Sequence, residues 1–173
     1  MRWCAALAAF AGLSACRGAG GSGGPGDAAP STFLAFTTTF ADFRSWPSFH
    51  SDGPASDGTV PVDVLGPRTQ YIRQVPPHGA GEFPVGTVIV EARESGARKI
   101  FGAVKRGGGF NGGGAADWEW FELSESPVTI VWRGVGPPLG DTYGGDPDGG
   151  CNACHARCAA NDYICSPRLA LDQ

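Results

Sequence analysis

Five short stretches of the chain are rich in branched and aromatic hydrophobic residues, and glycine or proline bounds each stretch. These stretches are residues 68–75, 86–93, 99–106, 117–123 and 128–134. Short segments of this composition between turn-forming residues are typical of β-strands. Because no helical stretches separate them, the pattern predicts an antiparallel sheet. The predicted fold class is mainly β (α+β), with about five short strands and a few short helices.

Alternation within one of these stretches also predicts which of its side chains share a face of the sheet. In residues 117–123, one face carries Trp118, Trp120 and Glu122, and the other carries Glu119, Phe121 and Leu123. A short helix is predicted over residues 39–46, since Pro47 would end it and its aromatic residues would share one apolar side. The glycine-rich residues 106–114 lack the Gly-Lys-Ser/Thr ending of a phosphate-binding loop, so they are predicted to form a flexible hairpin loop.

The first 31 residues divide into two segments that differ from the rest of the chain. Residues 1–15 contain an early arginine, an apolar run and then small residues, which is the layout of a secretory signal. The run is shorter than the roughly 18 residues of a membrane span. The ending Leu-Ser-Ala-Cys resembles a bacterial lipobox, so Cys16 is the predicted lipidation site. Residues 16–31 are rich in glycine, alanine and serine and are predicted to be a flexible tether.

Residues 32–173 are then one domain, long enough to form a hydrophobic core. The 28 glycines and 14 prolines of the chain divide it into short pieces. The formal net charge of the whole chain is −4, which does not favour binding to nucleic acid. The predicted location is the bacterial cell envelope, periplasmic or at the outer surface, with attachment to the membrane through a lipid on Cys16.

Residues 151–155 read Cys-Asn-Ala-Cys-His, which is the attachment pattern of a c-type haem. Two thiols separated by two residues can each form a thioether with one vinyl group, and the histidine that follows becomes an axial ligand of the iron. The predicted cofactor is therefore one covalent haem c, attached through Cys151 and Cys154, with His155 on the iron. Two alternatives remain, a zinc site formed by Cys151, Cys154, Cys158 and Cys165 or disulfides alone, although exported thiols usually oxidise, which disfavours zinc.

Cys158 and Cys165 are left over from this motif, and a disulfide between them is expected outside the cytoplasm.

The chain offers few candidates for a sixth iron ligand. Its single methionine is Met1, which leaves with the signal, and the remaining histidines are His50 and His78 in turn-like surroundings. Loop residues are mostly at the surface. An iron with one open position is therefore predicted, and an open haem iron binds small diatomic molecules or performs chemistry, whereas a closed one passes electrons.

A haem motif at the C-terminal end of a domain of short strands resembles the cytochrome P-460 family, which includes the β-sheet form of cytochrome c prime. The resemblance covers about residues 40–171, and it includes the strand FPVGTVIVE, the pair KIFGAVKR and DWEWFEL, and finally CNACHA with NDYICSP. The helical form of cytochrome c prime would need four amphipathic helices, which this glycine-rich chain does not contain.

The resemblance implies three haem-pocket residues. Catalytic members of the family oxidise hydroxylamine and carry a lysine, cross-linked to the haem, at a position that here holds Glu91. They also carry a carboxylate above the iron where this chain has Phe101, and a phenylalanine there resembles the gas-binding sheet-type members. The strand-opening arginine of the family corresponds to Arg68.

Three functions follow as expectations. The first is binding or detoxification of a diatomic gas such as nitric oxide, and the second is oxidation of hydroxylamine or nitric oxide with Glu91 as proton acceptor. The third is electron transfer with His78 or His50 as sixth ligand. Expected partners are a diatomic gas or small nitrogen compound, a redox protein and the membrane, but no nucleic acid.

Overall fold

The computed structural model describes residues 32–52, 66–94, 99–134 and 150–171. The predicted signal, the tether and Cys16 lie outside these residues. The described strands are β1 (Ser48–Ser51), β2 (Arg68–Ile72), β3 (Val88–Arg93), β4 (Ile100–Lys105), β5 (Trp118–Glu125) and β6 (Val128–Arg133). One α-helix, α1 (Gly150–His155), is accompanied in these segments by 3-10 turns at Thr37–Phe40, Phe43–Ser45, Ala156–Asn161 and Pro167–Leu169.

The six strands form one sheet in which each strand pairs with its neighbours along the chain, and every pairing is antiparallel. The predicted mainly β fold with an antiparallel sheet is thus confirmed, and all five predicted strands are present. The sheet has a sixth strand, β1, that the pattern did not predict. Its four residues are Ser-Phe-His-Ser, so it offers only one large apolar side chain as a signal.

One face of the sheet packs against residues 33–46 and is called the N-terminal face. Phe40 and Phe43 are fully buried on it. They form one hydrophobic cluster with strand residues on this face, namely Tyr71, Val88, Val90, Ala92, Ile100, Val104, Phe121, Leu123 and Ile130. The predicted single helix over 39–46 is wrong, since two 3-10 turns stand there, but its aromatic residues do pack on the core.

The opposite face, here the C-terminal face, packs against residues 163–171. Its buried apolar strand residues are Ile72, Ile89, Ala103, Trp118 and Trp120, and they form one hydrophobic cluster with Ile164, Leu169 and Leu171. The predicted division of residues 117–123 between two faces is confirmed, because Trp118 and Trp120 lie on this face and Phe121 and Leu123 lie on the other. The C-terminal segment of the chain is therefore pressed against the middle of the sheet.

No helix in the described segments has the length and apolar character needed to cross a bilayer.

Gly102 in the middle of β4 leaves room for an aromatic ring. A Cβ atom at this position would lie 3.0 Å from Cε1 of Phe40 and 3.3 Å from Cβ of Phe121. The rings of Phe40 and Phe121 pack with centroids 5.1 Å apart. The close approach of the N-terminal segment to the sheet thus depends on the absence of a side chain at residue 102.

Replacing Gly102 with alanine is expected to destabilise the protein by about 1 kcal/mol. Overpacking of a well-packed core usually costs about 1–3 kcal/mol, and the lower backbone entropy of the unfolded alanine variant offsets about 0.4–1 kcal/mol of it. The measurement is urea unfolding. Gly81→Ala is the matched control, because a Cβ at Gly81 meets nothing within 4 Å. Equal stability of the two variants would show that Phe40 moves aside without cost.

Candidate functional site

Helix α1 brings the three residues of the predicted haem motif onto one side of a single helical turn. Cys151 and Cys154 are three residues apart and Cys151 and His155 are four apart, and residues with these spacings are neighbours on a helix surface. Both cysteines are half-buried thiols. The donor set therefore fits a c-type haem, since two sulfur atoms and one imidazole are presented together.

The imidazole of His155 is held in one tautomer and one orientation. Its Nδ1 lies 2.6 Å from the backbone carbonyl oxygen of Tyr163, eight residues further along the chain. Because a carbonyl can only accept a hydrogen bond, Nδ1 carries the proton and Nε2 keeps its lone pair. The ring also stacks on Trp120, with centroids 4.0 Å apart and planes at 27°. Nε2 is thus the nitrogen that could ligate a metal.

The surroundings of His155 favour its neutral form. Burial of the ring lowers its pKa, and this effect outweighs the hydrogen bond to Tyr163 and the negative charge of Glu91, both of which raise it. A neutral imidazole is the form that binds metals. Glu91 lies on the same face of the sheet as Trp120, because it alternates with Val90 and Ala92 of the opposite face.

Asn152, inside the predicted haem motif, fastens α1 to the sheet. Its side-chain oxygen accepts hydrogen bonds from Asn111 (2.7 Å) and from the indole nitrogen of Trp120 (2.9 Å). Its side-chain nitrogen donates back to Asn111 over 2.9 Å. The glycine-rich segment is therefore a hairpin loop, as predicted, but it also serves as the docking partner of α1.

Phe101 lies on the C-terminal face between two carboxylates. Glu91 is its cross-strand partner on β3, and Glu122 is its partner on β5. All three side chains are half-buried. Glu91, Phe101 and Glu122 thus form a row across β3, β4 and β5. The neighbouring row on the same face contains Trp120, on which the ring of His155 stacks.

Each of these carboxylates is held in place. Glu91 contacts Arg68 at 3.3 Å, Arg93 at 3.5 Å and Gln70 at 3.2 Å. Two of the three predicted pocket residues, Arg68 and Glu91, are therefore in direct contact, and Arg93 also lies over the ring of Phe101 at 4.7 Å.

The second carboxylate, Glu122, accepts a hydrogen bond from the indole of Trp132 at 2.7 Å and pairs with Lys99 at 3.4 Å. Trp132 reaches this face because β6 has a bulge opposite Glu122 and Leu123, which changes the register of the strand.

The two lysines of this region differ in their exposure. Lys99, immediately before β4, is half-exposed. Lys105 is not solvated: it is 3% exposed and its ammonium lies 2.6 Å from Asp162. The strand alternation turns Lys105 inward, under the C-terminal segment.

The two histidines considered as sixth ligands are both exposed. His50 is on β1 and not in a turn, and it is the cross-strand partner of Thr69 on the N-terminal face. Its ring contacts Asp52 at 2.7 Å and Glu94 at 3.2 Å, and the hydrogen bond to Asp52 raises its pKa. His78 lies in a turn between β2 and β3.

Cys158 and Cys165 are joined by a disulfide, with their Cα atoms 5.3 Å apart. Their sulfur atoms are consequently not available as zinc ligands, and the four-cysteine zinc alternative is wrong. Within the described residues, no group of three or more His, Cys, Asp or Glu side chains is arranged to hold a metal ion.

Two cavities in the described part of the chain, of about 390 and 460 Å³, are lined by other residues. The first lies around Arg44 and Tyr71 at the N-terminal face, and the second lies at the turn between β2 and β3. The candidate site is neither of these cavities. It consists of α1 and the row of Glu91, Phe101 and Glu122 on the C-terminal face.

Comparisons of the chain with protein-family models, with curated proteins and with solved structures find no match.

The sequence does not predict Asn152 and Asn111 as site residues. Strand alternation places Glu122 on the face of Trp118 and Trp120, but no sequence motif marks it as part of a site. The pairing of Asn111 with Asn152 joins residues 41 positions apart, and no local pattern indicates it.

The neighbouring glycines Gly113 and Gly114 allow a matched test of the Asn152 contact. A Cβ at Gly114 would lie 2.5 Å from Nδ2 of Asn152, whereas a Cβ at Gly113 meets nothing within 4 Å. Gly114→Ala should displace the Asn152 amide and thereby shift the NMR signal of the Trp120 indole N–H. It should also lower the free energy of unfolding by about 1–3 kcal/mol, the usual cost of leaving buried polar groups unpaired. Gly113→Ala should change neither the indole signal nor the free energy of unfolding. An unshifted indole signal in Gly114→Ala would contradict the docking role.

Proposed function

We propose that this protein is an exported, lipid-anchored monohaem c-type cytochrome that resembles the cytochrome P-460 family and binds small diatomic gases such as nitric oxide. A haem iron with an open position supplies the chemistry of gas binding. Cys151 and Cys154 would hold the group covalently, and Nε2 of His155 would ligate its iron.

The observation that carries this proposal is the hydrogen bond from His155 Nδ1 to the Tyr163 carbonyl, on a helical turn that also presents two thiols. Metal-ligating histidines usually donate their second ring nitrogen to a carbonyl or carboxylate, which fixes the tautomer and the ring orientation. A histidine beside a disulfide pair would not require this arrangement. The disulfide at Cys158 and Cys165 further supports the proposal, since it leaves the two motif cysteines as thiols.

An open sixth position is supported by where the other histidines lie. His50 is on the opposite face of the sheet from Trp120 and Glu91, and it is engaged by Asp52 and Glu94. His78 is exposed in a turn. Electron transfer with either residue as ligand is accordingly the weaker alternative.

The contacts of Glu91 leave it poorly placed to accept a proton from a ligand. Both of its oxygens are engaged, one by Arg93 and the other by Arg68 and Gln70. Glu122 is the alternative carboxylate for proton transfer, because it lies on the other side of Phe101. Oxidation of hydroxylamine or nitric oxide therefore remains a second candidate function, with Glu122 rather than Glu91 in the acid–base role.

The first test concerns attachment. Wild-type protein should keep its haem through denaturation and acid–acetone extraction, and the mass of the denatured chain should include it. Cys151→Ala/Cys154→Ala should release the haem, whereas the control Cys158→Ser/Cys165→Ser should retain it, since that disulfide does not bear the group. Haem extracted from the wild type would overturn the c-type assignment.

The second test concerns the open position. Ferrous protein should bind carbon monoxide and nitric oxide without displacing a side chain, and its unliganded absorption spectrum should be that of ordinary five-coordinate haem c. Phe101→Ala should raise the association rate for carbon monoxide several-fold, because it removes the apolar ring between the two carboxylates. Phe36→Ala, at a position 62% exposed, is the control and should not change the rate.

Two spectra would redirect the proposal. A low-spin ferrous protein inert to carbon monoxide would identify a histidine as sixth ligand and favour electron transfer. A strongly red-shifted band would indicate a lysine cross-link, and Lys99 would be the residue to replace first, since Lys105 is paired with Asp162.

A further inference from the structure

The position of the Tyr163 carbonyl decides what the imidazole of His155 can do. His155 donates its Nδ1 proton to that carbonyl oxygen over 2.6 Å. The acceptor belongs to the backbone of the segment that follows α1, so its position depends on the path of residues 156–165. What fixes this path therefore also fixes His155.

The backbone of that segment adopts an unfavourable conformation at the residue that accepts the bond. Asp162 has φ 48° and Tyr163 has φ 65°, so two consecutive residues other than glycine lie in the left-handed region. Aspartate tolerates this region better than most residues, but a tyrosine there is uncommon. Such conformations persist only where the surroundings impose them, and they concentrate at functional sites.

Two independent anchors impose the conformation. The disulfide between Cys158 and Cys165 closes a short loop that contains both left-handed residues. Asp162 is held inside the protein: one carboxylate oxygen lies 2.6 Å from Nζ of Lys105, and the other accepts the backbone N–H of Phe83 at 2.9 Å. The side chains of Lys105 and Asp162 are 4% and 8% exposed, so the ion pair is buried.

The buried ion pair between Lys105 and Asp162 is better explained by the geometry that it imposes on the loop than by a gain in folding stability. The desolvation of two charges offsets most of their attraction, and a well-packed apolar pair would often be as stable. An ion pair does, however, fix one arrangement of its two partners. Lys105 is at the end of β4, so the pair ties the loop at Asp162 to the rigid sheet.

We propose that Lys105, Asp162 and the Cys158–Cys165 disulfide are positioning residues for the axial histidine: they hold the Tyr163 carbonyl against His155 Nδ1 and thereby set the strength of the iron–histidine bond. This inference rests on the proposed function. A strong hydrogen bond at Nδ1 makes the imidazole a more basic ligand, and loss of such outer contacts weakens metal binding.

The test compares three variants that carry covalent haem. Lys105→Met/Asp162→Asn removes both charges together, so that no unpaired charge is left buried, and the asparagine oxygen can still accept from Phe83. Cys158→Ser/Cys165→Ser removes the second anchor. Arg44→Met/Glu125→Gln, the control, removes an ion pair on the N-terminal face.

The measurement is the iron–histidine stretching band of the ferrous protein in resonance Raman spectra. The first two variants should shift this band to lower frequency, and the control should leave it at the wild-type position. A purely structural role would lower the melting temperature without moving the band. An unchanged band in Lys105→Met/Asp162→Asn would overturn the inference.

A second measurement separates this inference from the proposed function. In the haem-free chain Cys151→Ala/Cys154→Ala, ¹⁵N NMR of neutral His155 should show the proton on Nδ1. Adding Lys105→Met/Asp162→Asn should shift the tautomer towards Nε2. If the wild type carries no covalent haem, the function fails, but this tautomer shift would still support the positioning role, and its absence would refute that role.

Discussion

The two apolar faces of one antiparallel sheet are the constraint on which the rest of this structure depends. Strand side chains alternate between the faces, and both faces carry large hydrophobic residues, so both need a cover. No long helix in the described residues provides one. The short N-terminal turns cover one face with Phe40 and Phe43, and the segment after α1 covers the other with Ile164, Leu169 and Leu171. The candidate haem motif is thereby placed against the sheet by the need to bury Trp118 and Trp120.

Polar contacts then decide how that C-terminal cover is oriented. Hydrophobic burial is not directional, so it would hold the segment on the sheet without fixing its rotation or its register. The pairing of Asn152 with Asn111, the ion pair between Asp162 and Lys105, and the hydrogen bond of Ser166 to Gln70 each fix a different point of the segment. Because these points lie before and after His155, the imidazole is constrained from both sides.

How far the sequence predicts this structure varies with the range of the interaction. Five strands follow from local composition and the faces of residues 117–123 follow from local alternation, and these predictions are confirmed. Strand β1 is too short and too polar for such a pattern, and it exists because its backbone pairs with β2. The burial of Lys105 could not be predicted, because its partner Asp162 is 57 residues away. The predicted pocket residues Arg68, Glu91 and Phe101 do share the C-terminal face, since their positions in the strands have the right parity.

The β-bulge in β6 shows why the surroundings of Phe101 exceed what strand alternation predicts. Leu123 pairs with Ile130, and a regular ladder would place Val131 opposite Glu122, but the bulge brings Trp132 there instead. Val131 is left 53% exposed, and the Trp132 indole donates to Glu122.

The same register shift sets Arg133 opposite Phe121, where it pairs with the fully buried Glu119 at 2.6 Å. One extra residue in β6 thus places a polar partner on each face of the sheet. On the N-terminal face Arg133 pairs with Glu119, and on the C-terminal face the neutral indole of Trp132 donates to Glu122. The two carboxylates beside Phe101 therefore have different electrostatic surroundings. Glu91 contacts two arginines, whereas Glu122 contacts one half-exposed lysine and an indole. Glu122 thus has less positive charge around it than Glu91.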